Sequence, residues 1–361
     1  MRLLFVSKRH PQQRDLIERP YGRFHYLPVA LAALGHDVHV QLCSHSHLSS
    51  FKIQTGNIVR SSHDVRTLGM PKLLDQLTKE AQAFRPDWVI AFSDAHYGWL
   101  AQRLARANNA RLAIDAYDNY EAYMPWNLPL HWLWRRAIRS ADLVTAAGPQ
   151  LSQLLQSHRK IGRPVEILPM AADPEFVPQD KPQCRHLLNL PQRAPLIGYI
   201  GSWAQNRGTA MLLDAFRQAR ETRPDLGLVL SGRPPEYALR EPGVVATGYV
   251  ADDQLPALIN ALDIACVITA DTSFGRYSYP AKLCEAMACE VPVVATATEP
   301  VRWMLGDRRE HLVPIGDADA FAKRILDLLA TPKSEYMSRP TWAMQAERLD
   351  YLLTSVDRQN R

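Results

Sequence analysis

The feature that most constrains this chain is an alternation that runs, breaks off and starts again. Short apolar runs at residues 3–6, 38–42, 88–91, 112–114, 143–146 and 166–168 are separated by loops and helical patterns, such as 26–34 with Gly35 as its C-cap. The reading restarts at residues 196–201 and continues through a helix at 210–219 and strands at 228–230, 244–247, 264–268 and 293–295. Strands that alternate with helices pair mostly in parallel, with helices on both faces of the sheet. Between the two series, residues 169–195 are rich in proline and polar side chains and read as a linker. The predicted fold is therefore α/β, with two doubly wound, Rossmann-like domains at residues 1–168 and 196–340 and an amphipathic helix within 341–361. Ligands of such sheets sit beyond the carboxyl ends of the strands, so the expected site is a central cleft that the domains face.

A length of 361 residues suits two cores better than one. The composition, 47% hydrophobic and 22% charged, is that of a globular chain, and its apolar runs are too short to span a bilayer. The start, MRLLFVSKRH, reads as a first buried strand rather than a signal peptide, which predicts a cytoplasmic protein. Five cysteines at scattered spacings predict reduced core thiols. Residues 1–168 hold 21 Lys and Arg against 13 Asp and Glu, a balance of +8, whereas residues 169–361 balance at −3. A basic half suits nucleic acid, anionic lipid or an anionic small molecule, and no nucleic-acid-binding signature accompanies it, so no nucleic-acid partner is expected.

Two segments carry chemistry. In IGYIGSWAQNRGTAMLLDAF, a strand leads through Gly201 and Ser202 to Arg207 and Gly208 at a helix start, where backbone amides, the helix dipole and a guanidinium suit a diphosphate. A plain strand-to-helix turn with a solvated arginine fits the same residues. In FGRYSYPAKLCEAMACEVPVVAT, Pro280 is placed at a helix entry, and Lys282 and Glu285 lie three apart on one face. Lysine there suits a phosphate and glutamate the vicinal hydroxyls of a ribose, while an exposed ion pair is the alternative. His36, His39, His45 and His47 lack a metal-ligand pattern and are expected to be ordinary surface histidines.

These pieces in order, with SGRPPE, ATGYV and YPAKLCEAMACEVPVVA, resemble the donor domain of retaining GT-B glycosyltransferases of family 4. RPYGRFHYLPVALAALGHDVHV is similar to that family's glycine-containing loop and first helix, and ILPMAADPEFVP to its link between domains. The resemblance implies a nucleotide-sugar donor held by Gly22, Arg23, Gly201, Ser202, Arg207, Gly232, Tyr277, Ser278, Lys282, Leu283 and Glu285, with Arg207 and Lys282 on the diphosphate and Glu285 on the ribose. Tyr21, Gly22 and Arg23 would close over the diphosphate from the first domain. It implies that no metal or cofactor is needed, because cationic residues serve the leaving group. It also implies that 341–361 crosses back to the first domain.

Three departures stand out. Tyr277 replaces the first glutamate of the family's Glu-x7-Glu pair, Ser202 stands where an arginine is common, and AIDAYDNYEAY replaces a strand end that often offers a histidine. Asp118 best matches that last position, with Asp115 as the rival. The expected activity is transfer of a hexose-type sugar, with retention, to a hydroxyl of a glycan, glycolipid or small molecule. An epimerase acting on sugar nucleotides and a non-catalytic nucleotide-sugar-binding protein are the alternatives. The segment from Trp126 to Arg139 gathers Trp126, Trp132 and Trp134 with Arg135, Arg136 and Arg139. It reads either as an interfacial helix on an anionic membrane, serving a lipid-linked acceptor from the cytoplasmic face, or as a core helix with solvated arginines.

Overall fold

The computed structural model describes residues 1–201, 203, 208–306, 308–336 and 340–359. The chain forms two compact units, the first made of Met1–Pro169 with Thr341–Arg361 and the second of Met170–Pro340.

The sheet of the first unit is built from β1 (Arg2–Lys8), β2 (Asp37–Ser44), β3 (Phe51–Thr55), β4 (Ile58–Asp64), β5 (Trp88–Ala91), β6 (Arg111–Ala116), β7 (Leu143–Ala146) and β8 (Glu166–Ile167), in the spatial order β3-β4-β2-β1-β5-β6-β7-β8. All neighbours pair in parallel except β3 and β4. Leu3 to Val6 are wholly buried because helices cover both faces, so β1 reads as a continuous apolar run. The helix Gly22–Ala33 turns Phe24, Leu27 and Leu31 inward, and Met70–Phe84 buries Leu73, Leu77 and Ala81 at a four-residue repeat. The closing helix, Trp342–Gln359, buries Trp342, Ala346, Leu349 and Leu353 and packs on Gly22–Ala33. His36 Nε2 lies 2.9 Å from Asp350 Oδ1 across that contact.

The hairpin β3–β4 gave no strand signal in the sequence. FKIQT is an edge strand with four of five residues exposed, so it carries no apolar run. Two of the four histidines expected at the surface are instead inside: His36 is 8% and His39 2% exposed, since the polar stretch that holds them is a central strand and its approach. All five cysteines are buried and free.

The second unit has β9 (Leu196–Tyr199), β10 (Gly227–Ser231), β11 (Val244–Gly248), β12 (Ile264–Val267), β13 (Val293–Thr296) and β14 (Leu312–Val313), ordered β11-β10-β9-β12-β13-β14 and all parallel. One face packs Leu258, Leu262, Leu283 and Met287, and the other packs Leu212, Phe216, Phe321 and Ile325. Helices thus pack on both faces of this sheet. Both units are Rossmann-like.

Candidate functional site

In each sheet the chain runs outward from a central strand and then restarts on that strand's other side. β1 and β5 are such neighbours in the first unit, and β9 and β12 in the second. Loops leaving their carboxyl ends part to opposite faces, which opens a crevice suited to a ligand.

In the second unit, Gly201 follows β9 and Gly232 follows β10. Gly232 has φ +81°, donates its N–H to Gly248 O at 2.7 Å, and would bring a Cβ to 3.4 Å from Gly201 O. The two glycines therefore meet at the strand ends, where the positive φ of Gly232 would strain a residue with a side chain. Ser202 and Arg207 lie outside the described residues. Gly208 precedes the helix Thr209–Thr222.

After β12 the chain passes through a tight turn, Gly275–Tyr277, to the helix Ala281–Ala288. A Cβ on Gly275 would stand 2.0 Å from Ala270 O, so this loop closes only on glycine. Tyr277 and Ser278 are half-buried at the helix entry. Pro280 is the residue before the helix, with ψ 120°, rather than its first residue. Lys282 and Glu285 fall in the first turn and a half, and Lys282 Nζ lies 3.1 Å from Glu285 Oε2. That contact is an ion pair by distance but lacks hydrogen-bond alignment, so among the described residues the buried Oε2 accepts no hydrogen bond. A buried carboxylate oxygen left in this state costs free energy that a ligand hydroxyl could recover. Leu283, expected at the donor, lies in the core. It is 0% exposed, and its N–H donates to Pro280 O at 3.0 Å, so neither its side chain nor its amide is available to a ligand.

In the first unit, Gly22 opens the helix Gly22–Ala33 and Tyr21 is buried just before it, its hydroxyl donating to Pro11 O at 2.7 Å. Arg23, expected at the diphosphate, faces inward. It is 2% exposed, its Nε and Nη2 donate to the two oxygens of Asp115 at 2.5 and 3.0 Å, and Nη2 and Nη1 also donate to Leu168 O and Pro169 O. The guanidinium faces inward because the carboxylate that neutralises it lies beneath the helix. Asp115 also accepts from Thr145 Oγ1 at 2.5 Å, which ties the rival carboxylate into the core. Asp118 stands in the loop after β6, 6% exposed, and accepts from Tyr123 Oη at 2.6 Å.

The end of β5 holds residues that sequence reasoning missed. Ser93, 3% exposed, has φ +88°, a strained value for a residue with a Cβ, and Asp94 caps the helix Ala95–Ala107 through His96 N at 3.0 Å. The only sequence signal was SDAH directly after an apolar strand.

The tryptophan and arginine segment divides between its two readings. Trp134 is 2% exposed and rests on Gly98, whereas Trp126, Leu128 and Trp132 are 74%, 69% and 59% exposed. On the helix Leu128–Ser140, Leu128, Trp132, Arg136 and Arg139 share the outer face, and Arg136 lies 5.3 Å from the centre of the Trp132 ring. Arg135 pairs with Glu121.

Comparison with known proteins agrees with this fold. The family described as glycosyl transferases group 1 matches residues 194–331, and the glycosyl transferase 4-like domain matches residues 23–172. The chain belongs to the group 1 glycosyltransferases. Among its relatives are a 2-deoxystreptamine glucosyltransferase of Streptomyces kanamyceticus, 24% identical over 58% of this chain and 57% of the relative, and a phosphatidyl-myo-inositol mannosyltransferase of Mycobacterium leprae, 32% identical over 40% of this chain and 39% of the relative. The matches thus span about half or less of these relatives' own length. Anabaena HepE, solved in complex with UDP, shares the fold with TM-score 0.69 at 16% identity, covering 99% of this chain and 98% of that one.

Proposed function

We propose that this protein transfers a hexose-type sugar from a nucleoside diphosphate sugar to a hydroxyl of a glycan, glycolipid or small-molecule acceptor, with retention of configuration. The observation that carries the reading is Glu285 Oε2: a buried carboxylate oxygen that accepts no hydrogen bond among the described residues, beside a lysine, at the helix entry of the crevice between β9 and β12. A ribose hydroxyl donating to Glu285 and a diphosphate drawing Lys282 away would give both charges better partners than each other. Gly201, Gly232 and Ser278 border the same crevice, and Arg207 is assigned to the diphosphate on sequence grounds. In the reaction the bond from the anomeric carbon to the diphosphate oxygen breaks and a bond to the acceptor oxygen forms on the same face. The acceptor proton passes to the departing phosphate oxygen. Lys282 and Arg207 stabilise the negative charge of that leaving group, and no metal or cofactor is assigned a part. Asp118 is assigned to orient the acceptor hydroxyl or to accept a hydrogen bond from the donor sugar. Tyr277, in place of a carboxylate, supplies only a hydroxyl and a ring toward the sugar, which favours a donor held by apolar contact there.

The test is nucleotide release from a panel of UDP, GDP and dTDP sugars, with and without acceptor, alongside calorimetry with the bare nucleotides. Glu285→Ala should weaken nucleotide binding by about ten- to hundredfold, the loss of a charged hydrogen bond, with an unchanged melting temperature. Binding of no nucleotide, or undiminished binding by the variant, would remove the donor-site assignment.

Among the described residues no helix is long and apolar enough to cross a membrane. We assign the exposed Trp126, Leu128 and Trp132 with Arg136 and Arg139 to an anionic membrane face on the cytoplasmic side, where a lipid-linked acceptor would be reached. The chain should sediment with phosphatidylglycerol vesicles and not with phosphatidylcholine vesicles. Sedimentation that survives Trp126→Ser, Trp132→Ser and Arg136→Ser together would refute the assignment.

A further inference from the structure

Directly behind Asp118 stands a residue that no sequence motif singled out. Tyr123 donates its hydroxyl to Asp118 Oδ2 at 2.6 Å, from five residues further along the loop that leaves β6. A carboxylate on a loop turns about two side-chain bonds, so the direction of one oxygen is defined once a fixed group holds the other. Burial of its own ring explains little of why a tyrosine occupies this position, since Tyr123 is 45% exposed while the carboxylate it reaches belongs to a residue 6% exposed.

The ring that bears the hydroxyl is itself held. Tyr123 ends the short turn Tyr120–Tyr123. Tyr120, 3% exposed, stacks on it with ring centres 6.2 Å apart, packs on Trp134 at 5.2 Å and accepts from Tyr117 N at 3.3 Å. Glu121 in the same turn accepts from Arg135 Nε at 2.8 Å, and His131 Nε2 donates to Met124 O at 2.9 Å just after it. Trp134, Arg135 and His131 all belong to the helix Leu128–Ser140. The turn is thus fastened to that helix by a ring contact, an ion pair and a bond to backbone, and Tyr123 is carried on a braced support.

We propose that Tyr123 is a positioning residue for the transfer reaction, acting through Asp118. Its hydroxyl fixes the direction of the Asp118 carboxylate and favours the ionised form, because a donor on a carboxylate stabilises the charge. The part that Asp118 plays rests on the transfer reading, whereas its being held by Tyr123 does not.

The experiment is a double-mutant cycle in the full chain, with Tyr123→Phe, which keeps a ring against Tyr120, and Asp118→Ala. Nucleotide release is followed with whichever sugar nucleotide of the UDP, GDP and dTDP panel turns over fastest. Tyr123→Phe should lower kcat about ten- to hundredfold, with KM for the sugar nucleotide changed by less than about twofold. The acid limb of its pH profile should move to higher pH, because the carboxylate has lost a donor to its ionised form. In the Asp118→Ala background the same change should cost less than about twofold. An unchanged kcat in Tyr123→Phe, or a full second loss in that background, would overturn the proposal. Urea unfolding supplies a cycle that needs no turnover. The two substitutions should be non-additive by about tenfold in the unfolding equilibrium constant, and additive losses would show that no bond joins the pair. If no sugar nucleotide is turned over, the transfer reading and the catalytic half of the proposal fall together, while the unfolding cycle still decides whether Tyr123 holds Asp118.

Discussion

At the scale of single residues, two charged pairs of this chain lead opposite lives. Lys282 and Glu285 are three apart in sequence, and their position after a proline at a helix start was legible because spacing alone places them on one face. Arg23 and Asp115 are 92 residues apart, and no local pattern announces their pairing. A glycine beside Arg23 suggested a loop open to ligand, whereas the carboxylate beneath the helix draws the guanidinium inward. Arg23→Met should therefore cost about 3–5 kcal/mol by stranding a buried carboxylate. The double variant Arg23→Met with Asp115→Leu should recover most of that loss in urea unfolding, with nucleotide affinity unchanged. A double variant no more stable than the single one would deny that the pair acts as a unit. The strain at Ser93 was equally invisible, since a backbone dihedral leaves no mark in composition.

Among the elements, β2 and β4 carry an unusual load of polar side chains for central strands. His39 Nε2 lies 2.9 Å from Ser61 Oγ, Ser61 donates to Glu80 at 2.8 Å, and His63 Nε2 lies 2.9 Å from Glu80. Burial holds His39 down at about 4, against the opposing pull of Glu80. The unfolded chain takes up a proton near pH 6.5 and the folded one only near 4, so the unfolded state binds more protons throughout that window. His39 thus contributes stability above pH 6.5 that is lost as pH falls toward 4, roughly 3 kcal/mol in all. Denaturation midpoints should fall between pH 7 and pH 4.5, and His39→Gln should flatten that fall. An equal slope in the variant would place the effect elsewhere. The apolar strands were readable because burial on both faces makes them runs. β3 was not, because an exposed edge strand such as FKIQT shows neither a run nor a clean alternation. Spatial strand order was not readable either, because it depends on which way each crossover turns.

For the molecule as a whole, the fold class was legible and the arrangement of charge informative: the basic balance belongs to residues 1–168. The second unit, Met170–Pro340, is one continuous stretch with a core on each face of its sheet. Residues 170–340 should therefore fold alone, melt cooperatively and bind the nucleotide that the full chain binds. Residues 1–169 alone should melt well below the full chain, because Trp342, Ala346, Leu349 and Leu353 are missing from their packing. Equal melting of 1–169 and the full chain would show that the closing helix adds little.

The return of the helix Trp342–Gln359 to Gly22–Ala33 also sets an order in time. Synthesis runs from the amino end, so the first unit receives its closing helix only after the whole of the second unit has been made. The second unit can reach its final form while the first is still waiting. A premature stop near residue 341 would thus spare the half made later and leave the half made earlier unfinished.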